Sequence, residues 1–357
     1  MSLYERLANL PLRVDGLSTT TLEQTTRGGW ARWTTVIHLR GPDDQEGVGE
    51  DVTYLDDEQD DLLSRAHEFA VAGTFTLAEF SRWLDRVPLF AQAPTVLAAQ
   101  CYRRWAFESA ALDLALKQRG QSLAKALERD MQPVRYVVSL GLDRERSVAP
   151  LLDLRQQHPD LHFKLDLAEW WTKPLIADLA RVGGIDIVDF KGQYRGAFRG
   201  PIPDGELYRH VAQGLPDAWL EDPAYDKRLR TAFVGHEARV TWDAPIHSVA
   251  DILLLESPPR ALNMTPSRFG LLEQALRAYE LCDARGIELY GGGQFELGPG
   301  RDQIQCLASL FHADAPNDVA PIAFHGREVP GHAPSSPLLV AWTAPGFGAR
   351  ADRGETE

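Results

Sequence analysis

The sequence predicts an α/β protein in two parts, a (β/α)8 barrel preceded by a smaller α+β domain. Its 357 residues exceed one ordinary core and match a barrel of roughly 250 residues with an appended domain of roughly 100. Before Pro133 the strand signals come first and the helix signals second, whereas after it short apolar runs alternate regularly with helical stretches. The chain has no GxGxxG turn of the kind that opens a doubly wound sheet, which favours closure into a barrel.

In the first part, the β-branched segment Trp33–Leu39, the polar Gly-containing loop 41–47 and Val48–Val52 read as a hairpin. Apolar residues recur at three- and four-residue spacing over Asp60–Ala72 and over Thr76–Arg86, where Thr76 and Glu79 make a capping box. Cys101–Arg119 is an Ala-rich helix stopped by Gly120, and Met131–Pro133 marks the junction. The boundaries predicted are a capping domain over 1–132, a barrel over 133–328, and a tail over 329–357 that packs back on the first domain, with Ala349–Glu357 frayed. The expected barrel strands are Tyr136–Leu140, His162–Leu165, Ile185–Phe190, Ala218–Leu220, Arg239–Trp242, Ala261–Met264, Ile287–Tyr290 and Val319–Phe324.

Composition narrows the function. A formal charge of -14 repels a phosphate backbone and argues against nucleic acid as a partner. There is no basic start followed by an apolar run in residues 1–17 and no long apolar stretch elsewhere, so the expectation is a cytoplasmic chain off the membrane. Cys101, Cys282 and Cys306 lie far apart without metal-type spacing and read as reduced, buried small hydrophobes.

In a barrel, residues just past the carboxyl ends of the strands face one mouth. Read in order, these are Lys164, Asp189 with Lys191, Glu221 with Asp222, Asp243, Asn263 with Thr265, and Glu296. Asp189, Glu221 and Asp243 are separated by 32 and 22 residues, each close to one βα unit of about 30. Three convergent carboxylates repel unless protonated or bridged by a cation, and oxygen-only donors suit a hard ion such as Mg2+. Helix capping and ion pairing account for acids in barrel loops as readily, and at this point both readings stand.

Several segments together resemble the enolase superfamily. They are the hairpin ending in Val48-Gly49-Glu50, Phe107–Ala115 (FESAALDLA), Trp219–Pro223 (WLEDP), Leu262–Arg268 (LNMTPSR) and, most specifically, Tyr290–Arg301 (YGGGQFELGPGR). The last resembles the muconate-lactonizing and o-succinylbenzoate synthase branch. The resemblance implies an N-terminal capping domain on a modified TIM barrel, Mg2+ held by Asp189, Glu221 and Asp243, and abstraction of a proton α to the carboxylate of a small acid. Removing so weakly acidic a proton needs positive charge beside the developing oxyanion and an amine neutral enough to accept the proton.

The chain departs from that branch at its bases. The second strand of the branch ends in Lys-x-Lys, and this chain has Lys164, Leu165 and Asp166; the sixth carries a lysine where this chain has Thr265. The third-strand Asp-x-Asn is here Asp189, Phe190 and Lys191. Lys191 is therefore a candidate relocated base or carboxylate anchor, against an ion pair with Asp166 or Glu221, and Lys164 is the candidate electrophilic lysine. Glu296 holds the Gly-rich loop, Gly291–Gly293 allow close backbone approach, and His247 and His325 read as helix-start or surface residues. The loop Thr25–Trp33 is the expected lid, with Arg27 and Arg32 placed to meet an acid. The function expected is a Mg2+-dependent lyase or isomerase, of cycloisomerase, dehydratase or racemase type, in a homo-oligomer; the alternative is a scaffold that binds a ligand without proton abstraction.

Overall fold

The computed structural model describes residues 1–142, 146–194, 199–326, 328–339 and 341–349. Strand β1 (Pro11–Val14) pairs antiparallel with β5 (Gly73–Thr76), and between them β2 (Gly16–Thr25), β3 (Ala31–Arg40) and β4 (Glu46–Asp51) form an antiparallel sheet. The Thr-rich β2 alternates exposed with half-buried positions, whereas β3 and β4 are largely buried. The expected hairpin is β3–β4; β2 lacks a strong apolar alternation and was not expected as a strand.

The helix Ala98–Gln118 covers β4 closely. A Cβ on Gly47 would lie 2.2 Å from the Ala110 carbonyl, and one on Gly49 would lie 2.0 Å from that of Ala106, so only glycine permits this approach. Thr76 and Glu79 cap the helix Leu77–Leu84 reciprocally as expected. The helix predicted over Asp60–Ala72 starts earlier and runs Asp56–Arg65, followed by a short 3-10 turn.

In the second part, β6 (Val138–Leu140), β7 (Phe163–Asp166), β8 (Ile185–Asp189), β9 (Trp219–Glu221) and β10 (Val240–Thr241) make one parallel sheet, and β11 (Ala261–Met264) with β12 (Glu288–Gly291) another. A single bridge, Trp242 to Leu262, joins the two. The expected eighth strand at Val319–Phe324 is not one; it ends in a 3-10 turn, Ile322–Phe324. Pro316 and Pro321 lack the N–H groups that a ladder requires. Closure falls instead to Asn317 and Asp318: Val137 donates to the Asn317 carbonyl at 2.8 Å, and Asp318 donates to that of Gly291 at 2.8 Å. The fold is thus a modified TIM barrel with an N-terminal α+β capping domain, and one apolar core runs through both parts, from Leu12 and Phe107 to Leu165 and Leu220.

The returning tail meets the capping helices. Phe347 donates to Asp113 at 2.8 Å and stacks edge-on against Trp105, and Leu123 donates to the Gly346 carbonyl. Of the stretch expected to fray, residues 350–357 lie outside the described residues. Among the described residues no helix is long and apolar enough to cross a membrane. Cys282 and Cys306 are buried thiols as expected, but Cys101 is partly exposed.

Candidate active site

Parallel register brings the candidate residues together at the carboxyl ends of the strands. Asp166 of β7 is level with Asp189 of β8, which is level with Glu221 of β9, beside Thr241 of β10 and two residues before Asp243. Asp189, Glu221 and Asp243 are buried, and Asp166 is partly exposed. Carboxylate oxygens of Asp189, Glu221 and Asp222 lie within 4.8 Å of one another, and this set has the geometry to hold a metal ion.

Asp222 stands with Glu221 at the barrel mouth as expected but lies outside the expected ligand set of Asp189, Glu221 and Asp243. Its backbone takes a left-handed φ of 49°, which turns the chain at the strand end and folds both carboxylates to the same side. Asp222 also accepts from the backbone N–H groups of Asp243 and Ala244 at 2.9 and 2.8 Å, fixing the next loop. Burial, with Asp243 and Asp189 close by, pushes its carboxyl up to about 7.

Each expected ligand also has a cation of the chain itself against it. Lys191, left-handed at φ 52°, reaches Asp189 at 2.5 Å and Asp166 at 3.2 Å. Lys164 donates to Glu221 at 2.5 Å and pairs with Asp318 at 3.3 Å and Asp189 at 3.6 Å. Arg268 grips Asp243 through Nε at 3.1 Å and Nη2 at 2.8 Å, while Thr265, at the branch's lysine position, donates to it at 2.9 Å. Glu221 further accepts from Tyr290 at 2.6 Å and Asn263 at 3.2 Å.

These pairs set the protonation states. Burial opposes ionisation of Asp189, but Lys191 and Lys164 outweigh it and hold the carboxyl down at about 2. Burial, with Asp189, Asp243 and Asp222 near, pushes Glu221 well above the usual carboxylate range despite Lys164. Burial would discharge Lys164 and Lys191, but the surrounding acids raise both, so both amines are cationic at neutral pH. The ion pair of Lys191 is with Asp189 and Asp166, not with Glu221.

Lys164, Asp166, Lys191 and Asp243 border a cavity of about 460 Å³, which the capping domain walls with Tyr54 and Tyr102. Gly292 is where the Gly-rich loop packs on the site: a Cβ there would meet Asn263 at 2.4 Å and Thr265 at 2.7 Å. Glu296 accepts from the Gln294 N–H at 2.8 Å and so holds that loop, as expected.

Two expectations change. Arg32 does not meet an acid; it is buried and donates to the carbonyls of Val52, Thr53 and Gln294 at 2.6 to 2.9 Å, joining β4's continuation to the barrel loop. His247 stands at a helix start as expected, just before the N-cap Ser248 of the helix Val249–Leu254, with its ring against the Arg268 and Ala244 carbonyls. His325 is no surface histidine: it lines the cavity, beside Arg301. Neither Arg301, the last residue of the Gly-rich motif, nor His325 had an expected place in the site, because the loop carrying His325 is placed by the irregular closure of the barrel.

Family models described as a domain of unknown function (DUF8230) match the chain twice, the N-terminal domain over residues 5–126 and the C-terminal domain over residues 130–326. The o-succinylbenzoate synthase of Bacillus subtilis (strain 168) is 27% identical over 228 residues, 60% of this chain. That match spans only 57% of the relative's own length. Among solved structures, muconate cycloisomerase from Pseudomonas fluorescens superposes with a TM-score of 0.70 at 18% identity, over 95% of this chain and 96% of that one. An enolase-superfamily member from Listeria innocua Clip11262 gives 0.68 at 21%, over 96% and 95%. A dipeptide epimerase from Methylococcus capsulatus, complexed with a Mg ion, gives 0.65 at 19%, over 86% and 90%.

Proposed function

The chain belongs to the DUF8230 family and has the fold of the enolase superfamily, and from that premise we propose that it is a Mg2+-dependent lyase or isomerase removing a proton α to the carboxylate of a small acid. The observation that carries the proposal is the buried group Asp189, Glu221 and Asp222, two of whose acids pair with Lys164, a residue that lines the cavity. Its all-oxygen donors suit a hard divalent cation, which Asp189, Glu221 and Asp243 would hold with Asp222 alongside. Such an ion, when bound, supplies positive charge to the substrate carboxylate. In this reading Lys164 orients that carboxylate from the neighbouring strand β7, and Lys191 accepts the α-proton. Lys191 must first leave its pairs with Asp189 and Asp166, in which the amine stays protonated. Residues 1–132 with the tail 329–357 are proposed as the capping unit and 133–328 as the barrel; we also infer a cytoplasmic homo-oligomer.

A second reading, a scaffold that binds a ligand without proton abstraction, draws on the same ion pairs. With Lys164, Lys191 and Arg268 all engaged, the three acids are neutralised internally. Solvent-deuterium exchange decides between them. A library of small carboxylates is incubated in deuterium oxide with Mg2+, using the parent and Glu221→Gln. Incorporation at an α-carbon by the parent, lost in the variant, supports the enzyme; Mg2+ binding with no exchange on any acid leaves the scaffold reading.

A further inference from the structure

Lys191 and Lys164 repeat one arrangement beside the neighbouring strands β8 and β7. Each ammonium stands between a fully buried carboxylate and a second one that reaches the cavity. Lys191 Nζ lies 2.5 Å from Asp189 and 3.2 Å from Asp166. Lys164 Nζ lies 2.5 Å from Glu221 and 3.3 Å from Asp318. The side chains of the inner acids, Asp189 and Glu221, have no exposed surface. Those of the outer acids, Asp166 and Asp318, are 40% and 22% exposed and border the cavity. The inner acids belong to the group that would hold a metal ion; the outer ones do not, and the proposed proton transfer gives them no role of their own.

The surroundings confine movement to the side chains. The Lys191 N–H donates to Asp189 Oδ1 at 2.9 Å and the Gly192 N–H to the Asp222 carbonyl at 2.8 Å. A Cβ on Gly200 would lie 2.3 Å from the Lys191 carbonyl, so the backbone there is pinned from both sides. Lys164 and Asp166 are held in β7, and Asp318 is fixed by its N–H on the Gly291 carbonyl. One outer acceptor is also short of a donor: Asp166 Oδ1 is shut off from solvent and makes no well-aligned hydrogen bond among the described residues, although the ammonium is 3.2 Å away. An ammonium carries several donors and serves two carboxylates at once, so it can pass from the inner acid to the outer one without losing its partners. Loss of partners is what makes breaking a buried pair costly. The balance of charge also calls for the outer acids. Asp189, Glu221, Asp222 and Asp243 alone nearly match Lys164, Lys191 and Arg268, which leaves little attraction for a further cation.

We infer that Asp166 and Asp318 are receiving acids: when a divalent ion takes the oxygens of Asp189 and Glu221, Lys191 turns onto Asp166 and Lys164 onto Asp318. The chain thus exchanges its own cations for the ion and keeps both amines at the cavity. The inference rests on the proposed function for the ion and is independent of turnover. It makes Asp166 and Asp318 positioning residues, which act through the two lysines.

A double-mutant cycle read by isothermal titration of Mg2+ into the full chain, at constant pH, tests this. Asp166→Asn removes an acid that is not a ligand in the proposed set, and it is expected to weaken Mg2+ binding about tenfold, because Lys191 then has no acid to move to. In a Lys191→Asn background the same replacement is expected to change the affinity by less than about twofold. An equal loss in both backgrounds, the mark of a carboxylate acting by charge alone, overturns the exchange, as does an unchanged or higher affinity of Asp166→Asn in the parent. Asp318→Asn is the second variant and must weaken binding as well. Parent crystals soaked in Mg2+ give the direct reading: Lys191 Nζ nearer to Asp166 than to Asp189 supports the exchange, and an ion bound with Lys191 still on Asp189 overturns it. A parent that binds no Mg2+ removes the metal and the exchange together. Mg2+ binding with equal losses removes the exchange alone, and deuterium exchange judges the proposed reaction separately.

Discussion

At the scale of single residues, one substitution governs how the site presents itself to a cation. Where the related branch has a neutral asparagine, Lys191 puts an ammonium 2.5 Å from Asp189, so a divalent ion has to displace it. Lys191→Asn removes the competitor and keeps the carboxylates. We expect the variant to bind Mg2+ about tenfold more tightly than the parent in isothermal titration, irrespective of any turnover. Unchanged or weaker affinity would show that the ammonium does not compete for this carboxylate. Arg268 is the counterpart at Asp243, but its two bonds and burial make it part of the frame.

At the scale of elements, the irregular closing segment is held by a histidine and an asparagine in place of a strand. His312, which ends the helix Pro299–Phe311, gives its Nδ1 proton to Asn317 Oδ1 at 2.6 Å, and Asn317 Oδ1 also accepts from the Gly291 N–H at 2.6 Å. Burial lowers the His312 pKa from 6.5 to about 4. Between those values the unfolded chain takes up a proton that the folded chain refuses. Stability is therefore complete above the ordinary value and falls as pH drops towards 4, by about 3 kcal/mol in all. Melting curves of the parent and His312→Gln across that range should converge as pH falls, the variant lacking this component of the loss. Parallel curves would contradict the assignment.

At the scale of the whole molecule, the capping domain and barrel are joined by buried polar contacts as well as by the apolar core. Arg32 serves carbonyls of Val52 and Thr53 on one side and of Gln294 and Phe295 on the other. Glu50 accepts from the N–H groups of Leu297, Gly298 and Gly300 at 2.5 to 2.9 Å, at the start of the helix that carries Arg301. Arg32→Met leaves several buried carbonyls without donors, and it should lower stability by about 3 kcal/mol in chemical denaturation. The Gln294–Phe295 loop should also become open to proteolysis. A variant as stable and as resistant as the parent would mean that the apolar contact alone joins the two parts.

How much of this was legible in the sequence follows from the range of the forces involved. Strand periodicity is local, so the alternation after Pro133, the hairpin at β3 and β4, the Thr76–Glu79 cap and the spacing of Asp189, Glu221 and Asp243 could be read directly, and the motif resemblance supplied the fold. Side-chain direction beyond a strand end is not local. The left-handed turns at Lys191 and Asp222 decided which carboxylates converge, and no period marks them. The missing eighth strand, the neutralising pairs and the wall of Arg301 and His325 depend on partners distant in sequence. The sequence by itself thus determined the architecture and the inventory of charges at the barrel mouth. Only the tertiary structure decided which charges face one another, because an ion pair depends on separations of a few ångströms that strands far apart in the chain set when they pack.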